Sequence, residues 1–184
     1  MESVVESRRF GPWRTRLRQK IRGPRVLEVG VGTGKNLNYY PEGVEATGID
    51  FSPRMLTKAE KRANDLGIEV DLKEMDAQQL SFPDHSFDTV FATFVFCSVP
   101  DPVLGLREMR RVCKPDGILL LLEHMRPGNR LLGLVFDALN PMVVRMMGAN
   151  INRKTMDNIR KAGWSVEVEE HLSSDIVRWI EARP

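Results

Sequence analysis

Val26-Leu-Glu-Val-Gly-Val-Gly-Thr-Gly-Lys-Asn36 decides the reading of this chain. Its first half is apolar except for Glu28 and predicts a strand over Arg25–Val29. The glycines of Gly30-Val31-Gly32-Thr33-Gly34 then let the backbone turn tightly and approach a ligand. A helix is expected to open near Gly34–Tyr40, with free amide donors at its N-terminus. A strand, a glycine turn and a helix begin an α/β unit with a ligand crevice above the carboxyl end of the sheet.

Working outward, Glu45–Ile49 predicts a second strand that ends at Asp50, twenty residues beyond Gly30. An acid there is placed to accept hydrogen bonds from ribose hydroxyls. Dinucleotide sites use G-x-G-x-x-G, whereas here the third glycine comes one residue early and Lys35 holds the later position. A phosphate-binding P-loop is absent too, because Asn36 follows Gly34-Lys35. Glu28, two residues before the loop, would repel a pyrophosphate but suits a ligand with an ammonium group. Asp76 follows a third strand, Ile68–Lys73. It could accept from an adenine amine while the Ala77 amide donates to a ring nitrogen. S-adenosylmethionine has the amino group, sulfonium, ribose and adenine these residues ask for, and no phosphate.

The remaining pattern alternates in the same way. Pro53–Asp65 predicts a helix with Ser52 as cap, Pro53 in its first turn and Gly67 past its end. Phe87–Phe94 reads as a strand buried on both faces. Pro102–Cys113 follows as a helix capped by Asp101. Lys114-Pro115-Asp116-Gly117 reads as a tight turn before the strand Ile118–Glu123. Leu131–Met147 is apolar but for Asp137, Asn140, Pro141 and Arg145, so one or two helices should form a cap over residues 126–148. Lys154–Ala162 predicts a last helix. Trp164–His171 and Ile176–Glu181 predict an antiparallel closing pair around Ser173-Ser174-Asp175.

Four blocks together resemble class I S-adenosylmethionine-dependent methyltransferases: Val26–Asn36, Thr47–Met55, Asp76–Asp88 and Leu106–Glu123 with its Lys-Pro-Asp-Gly turn. Within that class the chain is similar to ubiquinone/menaquinone C-methyltransferases, phospholipid N-methyltransferases and alkyl thiol methyltransferases. Phe96-Cys97-Ser98-Val99, Glu123-His124 and Gly148–Arg153 resemble the thiol group in particular. The resemblance implies a Rossmann-like α/β fold: a seven-stranded, mostly parallel sheet with an antiparallel C-terminal hairpin and helices on both faces. It implies a cofactor site of Glu28, Gly30, Gly32, Thr33, Gly34, Asn36, Asp50, Phe51, Met55, Asp76 and Ala77, with Phe94 lining the pocket. Methyl transfer from a sulfonium is an in-line displacement, so proximity and exclusion of water do most of the work. A base is needed only for a protonated nucleophile, and His124, at the end of the fifth strand, is the candidate. His85 and His171 read as structural, and Cys97 as packing.

Composition narrows the field. The 184 residues are 42% hydrophobic and 28% charged, which suits one globular domain. Two cysteines make neither a disulfide framework nor a metal site, and no metal is expected. No run approaches the ~20 apolar residues of a membrane span. Without a signal-like apolar core at the N-terminus, the expected location is cytoplasmic. Eight bases against Glu2 and Glu6 make residues 1–27 strongly basic, whereas residues 28–184 carry 19 bases and 23 acids. Residues 1–24 thus read as a basic amphipathic arm before a single domain over 25–184. Trp13, Leu17 and Ile21 fall on one helical face. Residues 8–25 could form a lid and touch an anionic membrane. The flexible apolar cap would suit a hydrophobic or lipid-like acceptor: a phospholipid amine, quinol or thiol. An RNA acceptor is weaker, since no nucleic-acid module accompanies the arm. A non-catalytic S-adenosylmethionine-binding protein remains open, because cofactor motifs report binding, not chemistry.

Overall fold

The structure is a computed structural model; it describes residues 4–173 and 175–184, with side chains set aside for residues 4–9 and 147. Ser174 of the expected closing turn and the side chains of Arg8 and Arg9 lie outside the described residues.

Among the described residues seven strands form one sheet: β1 (Arg25–Val29), β2 (Glu45–Asp50), β3 (Asp71–Glu74), β4 (Phe87–Thr93), β5 (Cys113–His124), β6 (Ser165–Ser173) and β7 (Val177–Arg183). Their order across the sheet is β3-β2-β1-β4-β5-β7-β6. The first five pair in parallel, and β7 runs antiparallel between β5 and β6. Among the described residues five α-helices accompany them: α1 (Val4–Lys20), α2 (Pro53–Leu66), α3 (Pro102–Val112), α4 (Arg130–Met147) and α5 (Thr155–Lys161). The seven-stranded, mostly parallel fold with an antiparallel end is the one the resemblance implies.

Two of the three expected caps behave as the sequence predicts, whereas Ser52 precedes α2 without a side-chain capping hydrogen bond. Gly67 closes α2 in the left-handed conformation, and the Asp101 carboxylate accepts from the Val103 and Leu104 amides at the start of α3. One apolar layer, including Leu27, Phe96, Leu106, Leu121 and Trp164, lies under α3 and α5. The second, including Val26, Phe91, Leu120 and Trp179, takes in Leu17 of α1.

Three expectations are corrected. The helix expected at Gly34–Tyr40 shrinks to a single 3-10 turn, Leu37–Tyr39. Gly34 sits at φ +74° and Pro41 follows Tyr40, so no α-helical run fits between them. Lys114–Gly117 does not reverse the chain; β5 begins at Cys113, and the four residues bulge opposite Asp88 as the register jumps from Phe87–Cys113 to Thr89–Ile118. The third strand lies at Asp71–Glu74, downstream of its expected start at Ile68.

The arm is docked. Leu17 is 2% exposed, and Trp13 and Ile21 pack against the same core. Burying a leucine contributes about 1.5–3 kcal/mol, enough to favour this face turning inward. The Trp13–Leu17–Ile21 stripe is thus covered by the body, so it is not the surface that would meet a lipid. The arm's charges are also engaged: Arg16 pairs with Glu170 at 2.6 Å, Lys20 with Glu181 at 2.9 Å, and Arg25 lies 3.8 Å from Glu45. The charge division along the sequence is in good part an intramolecular match.

Candidate cofactor site

A cavity of about 890 Å³ opens above the carboxyl ends of β1, β2, β4 and β5. Its polar half is built on the glycine loop. Gly30 and Val31 both donate to the Ile49 carbonyl, at 2.8 and 2.9 Å, which locks the loop to β2. Gly30, Gly32 and Gly34 all have positive φ. A Cβ on Gly30 would lie 2.4 Å from Val95, so only glycine lets the loop approach the end of β4.

The Asp50 carboxylate bridges two turns. It accepts from the Gly32 amide at 2.9 Å through one oxygen and from the Ser52 amide at 2.9 Å through the other. Each oxygen has a second lone pair for a ligand hydroxyl. Asp76 is oriented by Gln78, whose backbone amide and side chain donate to it at 2.8–3.0 Å. Gln78 accepts in turn from the Asp101 amide, which ties the Asp76 turn to the start of α3. Phe51, 75% exposed, and Met55 make an apolar outer rim.

Ten of the expected cofactor residues line this cavity: Gly30, Gly32, Thr33, Asn36, Asp50, Phe51, Met55, Asp76, Ala77 and Phe94. Two do not. Gly34 packs on Leu37 and shapes the turn, since a Cβ there would meet the leucine at 2.7 Å. Glu28 is fully buried, and both its oxygens are taken. Asn36 donates to one at 2.6 Å, and the Tyr40 hydroxyl donates to the other. Burial pushes the Glu28 carboxyl up to about 7, against the pull of Tyr40, Asn36 and Arg14. Glu28 thus reaches the cavity through Asn36, which also donates to Thr93 at 2.9 Å.

The other half of the cavity is apolar and includes Phe10, Phe94, Val95, Val99 and Pro100. Phe94 follows β4 at φ +59°, a conformation rare for a bulky residue. Its ring meets Phe10 edge-on at 5.5 Å and lies 4.7 Å from the His124 ring. His124 is exposed and borders the cavity.

Phe10, Arg14 and Glu123 lie at or beneath the cavity, and the sequence reading did not place them among the site residues. Phe10 and Arg14 of α1 form part of the wall, and the Arg14 guanidinium donates to Asn36 at 3.1 Å. Glu123 is buried beneath the turn after β4, where one oxygen accepts from the Val95 and Phe96 amides at 2.8 and 3.2 Å. Its other oxygen has no hydrogen-bond partner, and burial pushes the carboxyl up to about 7. An acid next to an apolar β-strand run was the available signal, since such a residue is buried only with partners.

An adenosine ligand with an uncharged ribose and a cationic tail fits this wall. The amide-bound Asp50, the oriented Asp76 and the glycine approach suit it, and no lysine or arginine array marks a phosphate site on the loop itself except Lys35. A methyltransferase domain family matches residues 27–121, and the chain belongs to it. S-adenosylmethionine is the cofactor of this class. The chain is 46% identical over 113 residues to a phosphatidylethanolamine N-methyltransferase of Cereibacter sphaeroides, covering 60% of this chain and 56% of that protein. It is 30% identical over 164 residues to the thiol S-methyltransferase TMT1B of Rattus norvegicus, covering 86% and 67%. The chain therefore spans little more than half the length of the first relative. The [4+2]-cyclase SpnF superposes with a TM-score of 0.74 at 23% identity, covering 92% of this chain and 80% of that one. That likeness concerns the fold alone.

Proposed function

We propose that this chain transfers the methyl group of S-adenosylmethionine to a hydrophobic or lipid-like small molecule. The carrying observation is the division of the cavity into an amide-and-carboxylate half and an apolar half, with His124 on the apolar side. The cofactor supplies a methyl group already activated by sulfonium charge. Asp50 holds the ribose hydroxyls while the Gly32 amide keeps that carboxylate in place. Asp76 and Ala77 take the adenine edge, and Phe51 and Met55 offer apolar surface to its faces. Phe10, Phe94 and Val99 exclude water and receive the acceptor, which suits an apolar body better than a polyanion. His124 takes the proton of a nucleophile that carries one. The relatives named for phosphatidylethanolamine and for thiols support an acceptor of this kind.

The test is release of S-adenosylhomocysteine with a panel of thiols, quinols, phospholipids and RNA, alongside cofactor binding by calorimetry. Turnover confined to an apolar acceptor is the expected result. Turnover on RNA alone would replace the acceptor class, and tight cofactor binding with no turnover on any class would make the chain a binding protein.

A further inference from the structure

Helix α4 is amphipathic in the reverse sense for a surface helix. Asp137 and Asn140 face the body, and the leucines and methionines face out. Leu131, Val135, Leu139, Met142 and Met146 recur at steps of four or three and lie along one side of the helix, all exposed. Leu131 is 77% and Met146 74% exposed. Soluble helices turn such a stripe toward a core.

The orientation is specified by hydrogen bonds on the opposite face. Arg126 donates to both oxygens of Asp137, with the closest approach at 2.8 Å, and Asn152 donates to the same carboxylate at 3.1 Å. Asn140 accepts from the Ile151 amide at 2.9 Å and donates to Asn150 at 3.2 Å. Gly133 belongs to this anchor, because a Cβ there would lie 2.4 Å from the Arg126 guanidinium. Rotating α4 to hide its leucines would break all of these contacts. The apolar stripe is therefore held outward.

The C-terminal end of α4 is tied to the cavity edge, and its N-terminal end lies close to His124 along the chain. The chain enters α4 six residues after His124, and Asn150, just past its end, donates to the Cys97 carbonyl beside cavity-lining Ser98. Arg130 and Arg145 stand exposed at the two ends and pair with no carboxylate among the described residues. The only acid of α4, Asp137, is spent inward.

We propose that α4 seats this domain on an anionic bilayer surface, with its apolar stripe in the acyl boundary and Arg130 and Arg145 at the headgroups, beside the cavity mouth. Apolar side chains flanked by arginines match such a surface. A second copy of the same face would bring arginines together with no acid to offset them. The proposal deepens the reading of a lipid-like acceptor, yet binding to a bilayer is measured without any acceptor.

Flotation of the full chain with vesicles of phosphatidylcholine, or of phosphatidylcholine mixed with phosphatidylglycerol, tests it. The chain should float with the mixed vesicles and much less with the neutral ones. Leu139→Glu with Met142→Glu should lower the bound fraction at least roughly tenfold, because two apolar side chains are lost from the boundary. Leu131→Glu with Met146→Glu, at the helix ends, should do the same independently. Arg130→Glu or Arg145→Glu should each cost about fivefold on the anionic vesicles. Cofactor binding by calorimetry should be unchanged in all of them, which separates this proposal from the methyl-transfer reading. Arg18→Glu, an exposed position on α1, should float like the parent chain. Failure of the parent chain to float would overturn the proposal. So would flotation lost with Arg18→Glu and kept in both α4 variants, or a sedimenting dimer that the α4 variants dissolve without any vesicle binding.

Discussion

The Arg14 guanidinium donates to the Asn36 side-chain oxygen at 3.1 Å, with both residues buried. This bond joins helix α1 to the glycine loop, and through Asn36 to Glu28 at the heart of β1. Helix α1 is thus part of the wall of the candidate cofactor cavity. Replacing Arg14 with Met should cost about 1.5–3 kcal/mol of stability, the range for a hydrogen bond to a charged group. Urea unfolding reads the change, and cofactor affinity should fall with it because Arg14 lines the cavity. Equal stability and affinity in the variant would detach α1 from the site.

Asp50 tests the ribose contact together with the loop geometry that presents it. Asp50→Ala removes the acceptor for the Gly32 and Ser52 amides as well as for a ribose hydroxyl. Cofactor affinity measured by calorimetry should drop tenfold or more, in line with loss of charge-assisted hydrogen bonds. An unchanged dissociation constant would end the ribose assignment.

Two glycines should respond in opposite ways. Gly30→Ala places a methyl 2.4 Å from Val95 at φ +72°, and strain of roughly 1–3 kcal/mol should appear as a lower melting temperature. Gly32 faces the cavity, with its nearest added-Cβ contact at 4.0 Å. Gly32→Leu carries the strain of φ +57° but no such clash, so it should melt closer to the parent chain than Gly30→Ala yet bind no cofactor. The reverse ranking would mean that the loop is not the cofactor cradle.

His124→Ala should slow turnover about a hundredfold or more for an acceptor whose nucleophile carries a proton, the usual range for a lost general base. An acceptor that is already a free nucleophile should be turned over at nearly the parent rate. Equal rates for both acceptor types across pH would remove His124 from proton transfer and leave it as a wall residue beside Phe94.

Glu123 gives a pH signature. Its carboxyl is pushed from 4.5 to about 7 by burial, so the folded chain binds a proton more tightly than the unfolded one. Its contribution to stability is fully present below about 4.5, falls as pH rises toward about 7, and is level above that. Glu123→Gln keeps an acceptor for the Val95 and Phe96 amides but cannot ionise. Melting temperatures of variant and parent should agree at pH 4.5 and separate at pH 8, with the variant the more stable. A parent chain more stable at pH 8 would show that the buried carboxylate has a cation the geometry does not reveal.

The parts of the site that are contiguous in sequence were legible there. Gly30–Gly34, Asp50 and Asp76 each close a strand, and strand ends are where such a sheet places ligands. Glu28, expected at the cofactor, lies buried against Asn36 and Tyr40, because two residues of spacing do not say which side of a strand faces the cavity. Arg14, Phe10 and Glu123 act through partners 22 to 84 residues away, a distance that no local pattern reports. The α1 stripe and the α4 stripe have the same helical period, yet one packs inward and the other outward. Periodicity finds the stripe; only the anchors on the opposite face, such as Asp137 and Asn140, decide where it points.

The placement of β7 has a consequence for the order in which the molecule can be made. When β1 to β5 have left the ribosome, Leu119–Leu122 form a bare apolar edge that only β7 later covers. Such an edge invites pairing with another chain until it is closed. The opening helix waits as well, because Arg16 lies over the Trp179 ring at 4.7 Å and Lys20 pairs with Glu181, both residues of β7. Helix α1, made well before β7, thus completes its contacts only on that strand, and a nascent chain stays without the finished wall of the candidate cavity until β7 arrives.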